Sequence, residues 1–169
     1  PHNIIGPRQK YDDPFRNVVS IMLNRMLQNK APIIYGDGKQ KRCFSYIDDC
    51  LSCLIPMKDQ KNLNKQIINI GPDEEFVTIN KVAEICSNVT GNNLKPIYKP
   101  DRPQEVKHAS CSADKARKLL NYKTTVDLKT GITKTFDYIK QRGAKSFDYY
   151  INVEILNELT PSTWTKKEI

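Results

Sequence analysis

The chain has 169 residues, is 38% hydrophobic, and carries 27 Lys and Arg against 19 Asp and Glu, for a net charge of +8. That length and apolar content suit one globular domain with a modest core, and no apolar run approaches the ~20 residues of a membrane-spanning helix. The positive charge raises an anionic partner, but scattered lysines without interleaved aromatics read as a solvated basic surface, and nucleic-acid binding is the weaker inference.

In chain order, Asn3-Ile-Ile-Gly6-Pro7 reads as a strand end followed by a turn. The Asp12-Asp13-Pro14 loop then leads into a helix. Pro14 suits its first turn, where the missing N–H would be unpaired in any case. Val18, Val19, Met22, Leu23, Met26 and Leu27 form one apolar stripe at helical period. Pro32-Ile-Ile-Tyr35 is a short strand stopped by Gly36-Asp-Gly38. Residues 43–46 are extended, and Asp48 or its neighbour starts a helix through Met57. Within that helix Cys50-x-x-Cys53 has no second pair and no nearby His to complete a tetrahedral zinc site. Ile47, Leu51, Leu54 and Ile55 recur around it at helical spacing, so both thiols read as helix residues. The five cysteines are odd in number and irregularly spaced, which suits a reducing, cytoplasmic compartment.

Gln66-Ile-Ile-Asn-Ile70, ending at Gly71-Pro72, looks like a buried strand. Thr78 is the expected N-cap of a helix through Val89, with Val82, Ala83, Ile85 and Cys86 inward. A loop rich in proline and charge, residues 99–105, precedes a short helix opened by Ser112-Ala-Asp114 and ending at Leu120. Residues 128–142 make the last clear helix, closed by Gly143. Residues 143–169 form a tail with apolar positions (Tyr149, Ile151, Val153, Ile155, Leu156, Trp164) but no sustained period, as if it docks on something. Helices alternating with short strands give an α/β or α+β class, and strands so few and so far apart suggest part of a larger fold. The chain opens without an initiator Met, which leaves room for sequence ahead of it.

Three separated pieces could clamp a diphosphate. Gly36-Asp-Gly-Lys-Gln-Lys-Arg42 places one Arg just after a glycine turn, and Asp101-Arg102-Pro-Gln-Glu105 places a second on a proline-stiffened loop with a carboxylate three residues on. Asn3 lies at a strand end beside Gly6, where backbone can approach a ligand closely. The planar fork of Arg donates two parallel charge-assisted hydrogen bonds, which matches phosphate.

In this order the pieces join a longer set of landmarks. These are Pro1-His-Asn3 with Gly6-Pro-Arg-Gln9, then Pro32-Ile-Ile-Tyr-Gly-Asp-Gly38 with Gln40-x-Arg42-x-Phe44-x-Tyr46-x-Asp48-Asp49. After them come Ile68-Asn-Ile-Gly71, Arg102-Pro-x-Glu105, and Asp114-Lys-Ala116 running to Leu119-Leu120 and Tyr122. Residues 1–142 resemble the carboxyl-terminal, substrate-binding part of extended short-chain dehydrogenases/reductases, the NAD-dependent nucleotide-sugar epimerases, dehydratases and decarboxylases.

The resemblance implies an α/β fold with the main Rossmann sheet largely missing, and a nucleotide-diphosphate sugar, a UDP-sugar, as ligand. By it, Asn3 contacts the phosphate or sugar, and the backbone at Ile33 and Tyr35 pairs with the base edge. Arg42 and Arg102 bind the pyrophosphate, and Glu105 faces the nucleotide ribose. Pro1 and His2 lie where the family passes the nicotinamide. Two departures put loop geometry in question: Cys43 stands for a common acidic residue and Gln104 for a common Gly. The parent enzyme is expected to be a homodimeric epimerase that oxidises the sugar transiently at C4 by hydride transfer to NAD, the alternatives being a 4,6-dehydratase or decarboxylase, or a non-catalytic nucleotide-sugar-binding module. Its glycine-rich turn and its helical Tyr-x-x-x-Lys are not found here. The only such spacing, Tyr35 to Lys39, is interrupted by Gly36 and Gly38, so the chain alone should be inactive. Helix 48–57 and strand 66–70 are expected to pack on the cofactor half and to expose apolar surface without it.

Overall fold

A computed structural model describes residues 1–151 and 156–169. β1 (Ile4–Ile5) is followed by a turn and α1 (Val18–Leu27), then β2 (Ile33–Tyr35), β3 (Lys41–Arg42), β4 (Ser45–Tyr46) and α2 (Ile47–Met57). β5 (Val77–Thr78) runs directly into α3 (Ile79–Thr90), and β6 (Ile97–Lys99) and β7 (His108–Ala109) precede α4 (Asp114–Leu120) and α5 (Leu128–Arg142). A short helix, α6 (Ser162–Thr165), lies in the tail.

The helices form where periodicity and caps agree. In α1 the stripe buries Val19, Met22, Leu23 and Met26, while Val18 and Leu27 pack at its margin. Thr78 caps α3 by accepting from the Lys81 N–H at 3.1 Å, and Asp127 caps α5 by accepting from Thr130 at 2.8 Å. These three helices pack on one another around Val82, Cys86, Ile132, Phe136 and Ile139. Each fully buried branched or aromatic side chain contributes about 1.5–3 kcal/mol, so this bundle is the main source of stability. Gly131 lets α5 come close to β1: a Cβ there would lie 3.1 Å from the Ile5 side chain. A second cluster joins α2 and α4 through Cys50, Cys53, Ile70, Ala116 and Tyr122. The Cys50-x-x-Cys53 thiols are thus core residues of a helix.

The strands make three small sheets rather than one: β1 beside β4, β2 beside β6, and β5-β3-β7. β2 and β6 pair in parallel with Ile33 opposite Ile97. β3 is paired on both sides, antiparallel to β5 and parallel to β7.

Two expectations are corrected. α1 starts at Val18, not at Pro14, because Asn17 takes the capping position and accepts from the Val19 N–H at 2.9 Å. Pro14 instead lies in a turn built on the buried Asp13, which accepts from the Phe15 N–H at 2.9 Å, from Arg16 at 2.9 Å and from the Tyr150 hydroxyl at 2.9 Å. Residues 66–70 form no strand: the Ile70 carbonyl accepts from the His2 N–H at 2.9 Å, but no neighbouring strand completes a ladder, and Ile67 is 85% exposed. Within the stretch 43–46, read as extended, Ser45–Tyr46 pairs as a strand. The tail docks on the chain itself, with Tyr149, Tyr150 and Trp164 all edge-on to Phe15. Val153 and Ile155 lie outside the described residues. No helix among the described residues is long and apolar enough to cross a membrane.

Candidate functional site

Asn3, Ile33, Tyr35, Arg42, Arg102 and Glu105 line one cavity of about 230 Å³. Residues up to 102 apart in the chain meet there because β2 and β3 bring the first half to the loop after β6. Gly36 has a φ of 69°, and a Cβ on it would run into the Asp101 carboxylate. That close approach, with the Gly36 N–H donating to the Lys99 carbonyl at 2.9 Å, seats the glycine turn against the loop that carries Arg102. Arg42 ends the central strand of the three-stranded sheet, so its backbone is fixed from both sides. The Asn3 amide donates to the Cys43 carbonyl at 2.9 Å and ties the start of β1 to the residue after Arg42.

Glu105 joins the two arginines. Its Oε1 accepts from Arg42 Nη2 at 2.6 Å, and its Oε2 accepts from Arg102 Nε at 3.0 Å and Nη2 at 2.7 Å. The Arg42 and Glu105 side chains are sheltered, at 17% and 15% exposure, whereas Arg102 is 40% exposed. Arg102 also packs over the Tyr35 ring, its guanidinium carbon 5.2 Å from the centroid. Arg42 Nη1 donates to the Lys41 carbonyl at 2.8 Å. Each guanidinium carries five N–H donors, so both retain donors for an anion, and the three charged groups together keep an excess of one positive charge.

Both departures from the family pattern find a place. Gln104 adopts a φ of 56°, the left-handed conformation that glycine favours. The loop therefore keeps its shape with about 1 kcal/mol of strain on Gln104. Cys43 is fully buried, and burial pushes its thiol up to about 11, so it stays neutral where an acid would be charged.

Other candidates fall elsewhere. Pro1 and His2 do not line the cavity; His2 Nε2 lies 3.2 Å from the Ala109 carbonyl, and its backbone meets Ile70. Tyr35 and Lys39 are not on a helix, and the exposed Lys39 pairs with Asp37 at 3.6 Å. Among the described residues no glycine-rich turn leads into a helix: Gly36 and Gly38 enter β3 and pack against Asp101 and Asn80.

Sequence reading missed Phe15, Arg16, Phe44, Thr163 and Trp164, all of which line the cavity. The available signals were Phe15-Arg16 directly after the Asp-Asp-Pro turn and the one tryptophan of a tail without period.

Residues 1–135 match the family model described as GDP-mannose 4,6 dehydratase. The chain is 30% identical to UDP-N-acetyl-alpha-D-glucosaminuronate decarboxylase of Bacillus cytotoxicus, over 82% of this chain and 44% of that protein. It is 34% identical to a putative UDP-glucose 4-epimerase of Methanocaldococcus jannaschii, over 82% of this chain and 43% of the relative. The UDP-glucuronic acid 4-epimerase of Bacillus cereus, solved with UDP-glucuronic acid and NAD, superposes with a TM-score of 0.75 at 32% identity. That match covers 83% of this chain and 44% of the epimerase, so the chain spans less than half the length of these relatives. By this match and these landmarks, the chain belongs to the GDP-mannose 4,6-dehydratase family of extended short-chain dehydrogenases/reductases, which act as nucleotide-sugar epimerases, dehydratases and decarboxylases.

Proposed function

We propose that this chain is the nucleotide-sugar-binding part of an NAD-dependent epimerase, and that its ligand is a UDP-sugar. The observation that carries the reading is the Arg42–Glu105–Arg102 triad, held by one carboxylate and facing the same cavity as Asn3 and β2. The two guanidiniums bind the diphosphate, the backbone of Ile33 and Tyr35 pairs with the base edge, and Asn3 contacts phosphate or sugar. Glu105 keeps about one acceptor site beyond its three arginine bonds and accepts there from a ribose hydroxyl, which favours UDP over its 2′-deoxy analogue. The sugar is thereby placed by binding energy remote from the reacting carbon.

NAD and the catalytic Tyr and Lys are assigned to a companion Rossmann half, a reading supported by the match to only 44% of the NAD-bound epimerase, and this chain alone is proposed to be inactive. The whole enzyme is proposed to be a cytoplasmic homodimer. A second reading, decarboxylation or dehydration with the same handle, is favoured by the Bacillus cytotoxicus decarboxylase relative. Calorimetric titration tests the common part. UDP and UDP-glucuronic acid should bind one to one, UDP more tightly than dUDP, while single-stranded DNA should bind only in a strongly salt-dependent way. A folded chain that takes up neither UDP nor its sugar conjugate would overturn the proposal.

A further inference from the structure

The tail lies beyond the part of the chain that matches the family, yet it reaches the cavity. Its root is fastened to α1 and the preceding loop. The Asn24 amide donates to the Lys145 carbonyl at 2.9 Å and accepts from its N–H at 3.1 Å, and the Asp148 N–H donates to the Asp12 carbonyl at 2.8 Å. Its far end is held as well: the Ile169 N–H donates to the Tyr149 hydroxyl at 2.9 Å, and Glu168 lies 3.8 Å from Lys99 Nζ. Between these anchors α6 brings Thr163 and Trp164 to the cavity wall.

Thr163 is 2% exposed, while Trp164 keeps 38% of its surface open. The indole stands edge-on to Phe15, another lining residue, with centroids 5.6 Å apart at 71°. A T-shaped contact engages at most one indole face, so the other stays free of Phe15. The Tyr35 hydroxyl is buried without a hydrogen-bond partner among the described residues, although Thr163 lies close enough to favour its ionised form; burial dominates and pushes the phenol up. The cavity thus has a charged clamp, an aromatic wall and a buried hydroxyl with no partner beyond the nearby Thr163.

An anion joined to a flat unsaturated ring satisfies all three. We infer that the tail is a built part of the nucleotide site, with Trp164 packing on the nucleobase and the Tyr35 and Thr163 hydroxyls meeting its polar edge. This rests on the nucleotide reading above and adds a base-side wall from outside the family match.

Trp164 is the one tryptophan of the chain and reports directly. The test titrates the full chain with UDP and, separately, with inorganic pyrophosphate, following Trp164 emission and calorimetric affinity. UDP should quench Trp164 and pyrophosphate should not. Trp164→Ala should weaken UDP about tenfold or more, the size of one base–aromatic stack, and leave pyrophosphate affinity unchanged. Trp164→Phe should restore most of the loss, which excludes misfolding as its cause, and Arg102→Ala should weaken both ligands. If Trp164→Ala binds UDP like the parent chain while Arg102→Ala does not, the tail's role is overturned and the nucleotide reading stands. If neither variant changes UDP affinity, or the parent chain binds no UDP, both fail. Tighter UDP binding by Trp164→Ala would show that the tail obstructs the site and would also overturn the inference.

Discussion

Replacing Glu105 with Gln keeps the side chain's size while removing its charge and one acceptor oxygen. Glu105 accepts at 2.6 Å from Arg42 and at 3.0 and 2.7 Å from Arg102. An amide oxygen serves one guanidinium, so its NH₂ must face the other, donor against donor. A charge-assisted bond in a sheltered site contributes about 1.5–3 kcal/mol, and the Arg42–Glu105 pair qualifies, at 17% and 15% exposure. Arg102 is 40% exposed, so water takes over much of its share, which amounts to at most about 1 kcal/mol. The sum is a destabilisation of about 1.5–4 kcal/mol. Urea unfolding should show it as a lower midpoint at unchanged slope. A double-mutant cycle with Arg42→Ala should return a coupling of about 1–2 kcal/mol. Stability within about 0.5 kcal/mol of the parent chain, with no coupling, would make this an ordinary surface ion pair and refute the reasoning.

Three further outcomes are expected. Calorimetric titration with NAD should show no binding in the micromolar range, and micromolar affinity would reveal a dinucleotide site that the glycine turns do not provide. α2 turns Leu51, Leu54 and Ile55 outward at 38%, 39% and 61% exposure, so the chain should bind a dye for apolar surface and aggregate; Leu54→Lys with Ile55→Lys should reduce both, and an unchanged signal would count against this surface as the cause. The Arg117 guanidinium beside Asp73, helped by the Ala113 N–H, holds the Asp73 carboxyl well below its ordinary value of 3.8. A depressed folded-state value gives stability that is complete above the unfolded value and lost as pH falls through the folded one. The melting-temperature gap between the parent chain and Asp73→Asn should therefore be constant near neutrality and close as pH falls below 3.8; a gap that widens in acid would contradict the pairing.

Long-period features were legible in the sequence. The stripes of α1 and α3, the Thr78 cap and the Gly143 stop all lie within a few residues of what they control. β3, β5 and β7 are two residues each, too short for any alternation, and their pairing is set by tertiary contacts. The apolar run 66–70 carries strand composition but, among the described residues, finds no partner strand beyond the single His2–Ile70 bond. Pro14 obeys a helix-start preference that the Asn17 side chain overrides. At the site, the spacing from Arg102 to Glu105 was visible, whereas the Glu105 bond to Arg42 spans 63 residues and exists only in the fold. The tail's aromatic residues could be seen to need a surface, but nothing local named that surface as the cavity wall beside Phe15.

The central claim is that Arg42 and Arg102 act together as a diphosphate clamp. It is tested most directly by UDP titration of the parent chain, Arg42→Ala, Arg102→Ala and the two Lys variants at fixed salt. Each Ala variant should lose about one to two decades of affinity, the equivalent of about 1.5–3 kcal/mol of charge-assisted bonding. Each Lys variant should recover only part, because a point charge cannot replace the fork. Folded Ala variants that both bind UDP with the affinity of the parent chain would contradict it.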